Sequence, residues 1–125
     1  MNDMQRLASG STAYHAGAAA EEAVERHYLQ HGYTLAHRRW RGRGGEIDLV
    51  LRRREAVVFV EVKKSSDFAR AAQRLAPAQI RRLLLSAEDF LGREPKGALT
   101  ECRFDVALVD ASGACSILRN ALGQG

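Results

Sequence analysis

The sequence predicts an α/β fold in which a mixed β-sheet of about five strands is flanked by helices. Three observations lead to this prediction: an apolar stripe at helical spacing near the start of the chain, two adjacent segments rich in β-branched residues, and a second helical stripe followed by another apolar segment. The strand, helix and strand that follow one another between residues 56 and 109 predict a right-handed parallel crossover. The chain has 125 residues, which fits one domain.

The first half of the chain supplies one helix and three strands. We expect residues 1–11 to be disordered, because they are polar and patternless, and the single domain to span residues 12–122. A helix is predicted from Ser11 to its stop at Gly32. Three strands should follow: "YTLAHRRW", then, after the basic glycine-rich loop "RGRGG", about Glu46–Arg52 and Ala56–Lys63.

The second half contains the clearest helix. Residues 65–76 have no firm pattern and predict a mobile connection. Pro77 suits the first position of a helix whose apolar residues form one stripe before Gly92 ends it. The segment "RFDVALVD" predicts a strand, "ASG" a turn and "ACSIL" a short last strand.

Charged residues interrupt the two central strands. Alternation puts Ile47, Leu49 and Leu51 on one face of their strand and Asp48 on the other. If the strands form a hairpin with a two-residue loop (54–55) or a four-residue loop (53–56), Asp48 lies opposite Glu61, with Lys63 on the same face. The turn letters "RRRE" lack Gly, Asn and Asp, which favours the four-residue loop.

Two opposed carboxylates predict a metal site. They repel each other unless a cation lies between them, and Mg²⁺ prefers carboxylate, carbonyl and water oxygens. Lys63 can neutralise only one member of the pair. The alternative is a surface ion-pair network at the sheet edge, because structural networks also gather charges.

Composition restricts the partners and the compartment. Net charge is +4, and three of the 19 basic residues are lysine, so sixteen are arginine. Arginine suits phosphate, so nucleic acid is one expected partner, and a plain solvated basic surface is the alternative. No run of eighteen apolar residues and no signal-peptide pattern is present, which predicts a cytoplasmic protein without a membrane partner. Cys102 and Cys115 fit no disulfide or zinc pattern and are expected to be reduced, buried thiols.

The letters Gly45-Glu46-Ile47-Asp48-Leu49 and Val58-Phe59-Val60-Glu61-Val62-Lys63 resemble the PD-(D/E)xK nuclease superfamily, which has the restriction-endonuclease-like fold. More closely, the chain resembles the YraN-like family of predicted endonucleases, which is related to Holliday-junction resolvases. The likeness covers residues 14–122 and includes Gly17 with Glu21, the segment "PAQIRRL" and the segment "CRFDVALV". Ala78 departs from the family pattern, in which a basic residue usually precedes the glutamine.

The resemblance implies a metal-dependent endonuclease that hydrolyses phosphodiester bonds in DNA, with branched or single-stranded DNA as the candidate substrates. Asp48, Glu61 and the carbonyl of Val62 would hold Mg²⁺, with Mn²⁺ as a substitute, and Lys63 would act on the attacking water. Glu21 and Gln79 are the further catalytic candidates. The implied DNA contacts come from arginines beside the cluster: Arg38, Arg39, Arg41 and Arg43.

Other readings of these segments stay open. Trp40 could stack on a base or pack in the core, and the arginine loop could be a plain solvated turn. A binding module that keeps the fold without cleaving is the rival function. A homodimer is compatible with the resemblance, although the sequence identifies no dimer surface.

Overall fold

The computed structural model describes residues 18–64 and 77–122, which form a five-stranded mixed sheet flanked by two helices. The sheet order is β1-β2-β3-β4-β5, with strands Thr34–Gly42, Gly45–Arg53, Ala56–Lys64, Cys102–Val109 and Cys115–Leu118. Helix α1 covers residues 18–30, helix α2 is Pro77–Leu91, and a short 3-10 helix is Gly97–Leu99. The predicted α/β fold with a mixed sheet is therefore confirmed.

The strand pairing is antiparallel except between β3 and β4, which run parallel. The long connection through α2 allows this parallel pairing, because two parallel neighbours cannot be joined by a tight turn. The predicted parallel crossover between residues 56 and 109 is confirmed. The expected disordered segment at residues 1–11 and the expected mobile connection at residues 65–76 lie outside the described residues.

Each face of the sheet is covered by one helix. Helix α1 packs Ala20, Val24 and Tyr28 against one face, whereas α2 packs Leu83, Ala87 and Phe90 against the other. Strand β3 is central and contributes to both clusters: Val58 and Val60 face α1, while Val57 and Phe59 face α2. Burial of one such side chain contributes about 1.5–3 kcal/mol, so these alternating valines fix which face of β3 each charge occupies.

Helix α1 ends where a glycine was predicted to stop it. Residues 31–32 form a turn, Gly32 has a φ of +89°, and the N–H of Tyr33 donates to the carbonyl of Tyr28 at 3.1 Å. A left-handed residue after the last turn is the usual end of a helix. Buried Asp105 then ties α1 to the sheet, because its carboxylate accepts a 2.6 Å hydrogen bond from the Tyr28 hydroxyl.

The basic loop predicted at residues 41–45 is mostly strand. Strand β1 continues to Gly42, which pairs with Gly45, so only Arg43 and Gly44 form the turn. The glycines allow this turn to pack closely on α2: a Cβ on Gly44 would lie 1.8 Å from the carbonyl oxygen of Arg82. Gly42 and Gly44 thus serve the close packing of this turn on α2.

The preference for a four-residue β2–β3 loop is also wrong. Arg53 pairs with Ala56, so the loop has two residues, Arg54 and Glu55. Arg54 takes a φ of +58°, which costs a residue with a Cβ roughly 1 kcal/mol. The hydrogen bonds between β2 and β3, the two strands that the turn joins, offset that cost.

Two smaller expectations fail as well. Ile47 packs in the cluster on the α2 side and Leu49 in the cluster on the α1 side, so the predicted common face breaks between them. Cys102 is exposed and Cys115 half-buried, and both are free thiols.

Within the described residues, no helix has the length and apolar character needed to cross a membrane.

Candidate functional site

The candidate site lies where the sheet splits between β2 and β3. The ladder between these strands runs from Arg53↔Ala56 to Leu49↔Val60. Beyond that point β2 stays paired with β1 and β3 stays paired with β4, as far as Gly45 and Lys64 respectively. The two strands therefore diverge just where Asp48 and Glu61 occur, and their side chains fill the gap.

The side chain of Asp48 replaces a backbone hydrogen bond that is missing between β2 and β3. Its Oδ2 accepts a 2.8 Å hydrogen bond from the backbone N–H of Val62. In a strand the N–H and C=O of one residue point to the same side, because hydrogen-bonded pairs exchange both bonds. The carbonyl oxygen of Val62 consequently points into the same gap as the Asp48 carboxylate.

Glu61 is a buried carboxyl beside a second carboxyl. Its residue exposure is 7%, and its Oε2 accepts a 3.1 Å hydrogen bond from Nε2 of Gln79 on α2. Burial raises the pKa of Glu61 well above its usual range, and the hydrogen bond and charge of Asp48 raise it further. Lys63 and Gln79 act in the opposite direction, since both favour the charged carboxylate.

The four predicted side chains Asp48, Glu61, Lys63 and Gln79 thus meet at one place. Lys63 is half-buried and acts electrostatically on Glu61, whereas Lys64 is exposed, as strand alternation predicts. Gln79 reaches the site from the first turn of α2, at the end nearest the gap. The two carboxyls come from sheet pairing and the amide from helix packing, so the site depends on both layers.

The β1–β2 turn holds α2 in the position that this contact requires. Fully buried Ser86 accepts a 3.0 Å bond from the N–H of Gly44 and donates a 2.8 Å bond to the carbonyl of Gly45. Asp89 accepts bonds from the backbone N–H and Nε of Arg43 at 2.6 and 2.7 Å. Sequence reasoning missed this clamp, and its only signal was two polar residues at helical spacing within the α2 stripe.

Among the described residues, Glu21, on α1, forms an ion pair with Arg39 of β1 and no ion pair or hydrogen bond with the carboxyl pair. Its carboxylate accepts hydrogen bonds from Nε and Nη2 of Arg39 at 3.1 and 3.5 Å. The pairs Arg38↔Leu49 and Trp40↔Ile47 place Arg39 on the rung of Asp48. Arg39, which has a φ of +51°, therefore connects Glu21 to β1, the strand paired with the one that carries Asp48.

The arginines expected to bind DNA all have acidic partners. Arg38 pairs with Glu25 at 2.8 Å and Arg39 with Glu21 at 3.1 Å. The other two pairs are Arg41 with Glu46 at 3.8 Å and Arg43 with Asp89 at 2.7 Å. Exposed pairs of this kind are weak, typically about 0–1 kcal/mol, so a phosphate could displace the carboxylates.

Trp40 packs in the core and not on the surface. Its residue exposure is 9%, and its ring meets Phe90 edge-to-face with centroids 5.3 Å apart. The guanidinium of Arg93 lies 5.5 Å from the indole centroid on α2's side of the sheet. Of the two interpretations of Trp40, core packing is the one that the structure supports.

The donor set fits a hard divalent cation. No group of three His, Cys, Asp or Glu side chains that could hold a metal occurs in the part of the chain that the structure describes. Two carboxyls and a backbone carbonyl do converge, however, and Mg²⁺ typically takes one or two carboxylates and completes its shell with water and substrate phosphate. A cation would also relieve the repulsion between Asp48 and Glu61.

Comparison with known proteins gives the relationship of the chain. Residues 20–109 match the family described as "Uncharacterised protein family UPF0102". The UPF0102 protein of Roseobacter denitrificans is 58% identical over 120 residues, which cover 96% of this chain and 93% of that protein. The relative from Ruegeria pomeroyi is 56% identical over 123 residues, covering 98% of this chain and 100% of that protein. The chain belongs to the UPF0102 family, the YraN-like family that the sequence motifs indicated.

Proposed function

We propose that the protein is a metal-dependent DNA endonuclease that hydrolyses phosphodiester bonds. The observation that carries the proposal is the pair of opposed carboxyls, Asp48 and Glu61, in the gap where β2 and β3 diverge. A buried carboxyl beside a second carboxyl that disfavours its ionisation is costly for a fold, and a binding module has no need of such a pair. Its placement beside Lys63 at a strand end is what hydrolysis of a phosphate ester would use.

Each side chain of the cluster has a separate task. Asp48, Glu61 and the Val62 carbonyl would hold Mg²⁺, or Mn²⁺ in its place, and the bound cation would polarise the phosphate and lower the pKa of a water. Gln79 fixes the orientation of the Glu61 carboxylate through its 3.1 Å bond to Oε2. Asp48 is fixed by the Val62 N–H, so neither carboxylate needs to reorganise before reaction.

Lys63 supplies the remaining catalytic group. It is half-buried and near Glu61, so its ammonium is placed to orient the attacking water and to balance the charge that develops on the phosphate. Glu21 would contribute through Arg39, whose guanidinium it binds on β1, the strand next to the one that carries Asp48. The DNA backbone is bound by the arginines of β1 and its turn, with their carboxylate partners displaced. The proposed substrate is DNA in the cytoplasm. Branched and single-stranded DNA are the forms to test first.

The test uses linear duplex, single-stranded and four-way-junction DNA with purified protein. We expect cleavage of at least one substrate in Mg²⁺ or Mn²⁺, none in EDTA, and DNA affinity that falls steeply as salt rises. Binding without cleavage would favour the non-catalytic module instead. The absence of binding to every DNA tested would overturn both functions.

A further inference from the structure

Three arginines at the end of the sheet away from the carboxyl pair have no acidic partner. Six other described arginines, among them Arg38, Arg43 and Arg52, form ion pairs. Among the residues that the structure describes, no ion pair involves these three side chains, which are Arg53, Arg54 and Arg119.

These three arginines line one cavity of about 510 Å³, beside the β2–β3 turn. Tyr33, Val58 and Arg103 form its inner wall, and Val58 and Tyr33 belong to the core cluster under α1. Glu61 instead faces α2. Val58 lies three residues before Glu61 on β3, about 10 Å at ~3.3 Å per residue, and the two side chains point to opposite faces of the sheet, so this cavity is separate from the carboxyl pair.

The cavity has an excess of positive charge. Arg103 is neutralised by buried Asp105 at 2.9 Å, and Glu55 by Lys96 at 2.7 Å. The lining then retains three guanidinium groups against the single exposed carboxylate of Glu101. An electropositive concavity that the fold leaves uncompensated attracts anions.

Tyr33 organises the guanidinium groups of this cavity. The guanidinium carbons of Arg53 and Arg103 lie 5.4 and 5.6 Å from its ring centroid, within the usual range of a cation–π contact. Arg103 also donates a 2.9 Å bond to the Tyr33 hydroxyl. Burial acts to raise the pKa of Tyr33, but hydrogen bonds from Arg103 and Arg53 and the charge of Arg119 outweigh it and lower that pKa. The ring is therefore used to orient cations and not to stack on a base.

We propose that this cavity binds a phosphate group between Arg53 and Arg119, next to the Tyr33 hydroxyl. Forked guanidinium donors match the oxygens of a phosphate, and the Tyr33 ring in the wall is already in contact with Arg53 and Arg103. The ligand chemistry is a phosphate oxyanion, carried either by a small phosphate monoester or by a nucleic-acid backbone. This second site is independent of the nuclease proposal, because none of its residues belongs to the carboxyl cluster.

The test follows the arginine Nε–H signals by NMR during titration with inorganic phosphate. We expect the signals of Arg53 and Arg119 to shift at lower phosphate concentration than those of Arg38 and Arg43, because phosphate must first displace the carboxylate partners of the latter two. The double variant Arg53→Gln/Arg119→Gln should weaken phosphate binding about tenfold or more. Arg119→Gln alone, at an exposed side chain, should weaken it measurably without changing the fold, and Arg81→Gln is the charge-matched control.

Two further ligands identify the source of the phosphate. Competition by dAMP alone points to a small monoester, whereas competition by a single-stranded 12-mer without terminal phosphate points to a nucleic-acid backbone. The proposal is overturned if inorganic phosphate shifts no arginine signal in the cavity, or if the double variant and Arg81→Gln bind phosphate as the unmodified chain does. Loss of DNA cleavage with phosphate binding intact would affect only the nuclease proposal.

Discussion

Replacing Asp48 by asparagine is expected to lower the rate of DNA cleavage by about 10³-fold, within the range lost with a positioned catalytic group. The new amide oxygen can still accept the Val62 N–H, so the local backbone keeps its hydrogen bond. What disappears is the negative charge that would hold a cation. The change therefore separates the chemistry of the carboxylate from its structural role.

Cleavage rates and melting temperatures of the same preparations check this prediction. The melting temperature without metal should stay near that of the unmodified chain or rise, because the repulsion with Glu61 is removed. Asp110→Asn is the matched control: it removes a half-buried turn carboxylate whose bonds to Ser112 lie away from the gap. If Asp48→Asn cleaves DNA as fast as Asp110→Asn, Asp48 has no part in catalysis.

Replacing Gly44 by alanine is expected to destabilise the fold by about 3 kcal/mol or more, which is large for a single substitution. The new Cβ would lie 1.8 Å from the carbonyl oxygen and 2.6 Å from the carbonyl carbon of Arg82. Both atoms belong to the backbone of α2, so no side chain can rotate to make room. Either the β1–β2 turn or the helix must move, and the Ser86 bonds to Gly44 and Gly45 are lost with it.

Thermal unfolding measures this effect, with an expected fall in melting temperature of about 10 °C or more. Gly92→Ala is the control, because its Cβ would meet only the carbonyl oxygens of Glu88 and Asp89 at 3.5 and 3.6 Å. A variant that still folds should show weaker DNA cleavage, since a shifted α2 takes Gln79 away from Glu61. Equal melting temperatures for Gly44→Ala and Gly92→Ala would show that the turn does not hold the helix.

The mixed sheet and the opposed positions of Asp48 and Glu61 could be predicted from the sequence. Alternation along β3 and one assumed hairpin placed Asp48 opposite Glu61, and the observed pairs from Arg53↔Ala56 to Leu49↔Val60 follow the same register. Both loop lengths gave this register, so the wrong choice of turn did no harm to the site. The turn was misjudged because Arg54 takes a positive φ that turn propensities assign to other residues.

Tertiary contacts account for what the sequence did not show. The segment "RGRGG" was predicted to be a basic loop. The neighbouring sequence does not show that Ser86 and Asp89, which lie on a helix distant in sequence, bind this turn. The same limit applies to the arginines. Those expected to be free for DNA, such as Arg38 and Arg43, have carboxylate partners that are distant in sequence. Charge counting locates basic residues but does not say which of them the fold has already neutralised.

The most direct test of the account is calorimetric titration of the purified chain with Mg²⁺, alongside Glu61→Gln and the surface control Glu22→Gln. We predict Mg²⁺ binding by the unmodified chain and by Glu22→Gln, and binding at least about tenfold weaker in Glu61→Gln, whose metal-free melting temperature should not fall. The bound cation should also raise the melting temperature of the unmodified chain. If the unmodified chain binds no Mg²⁺ or Mn²⁺, or if Glu61→Gln binds it equally well, the opposed carboxyls are not a metal site.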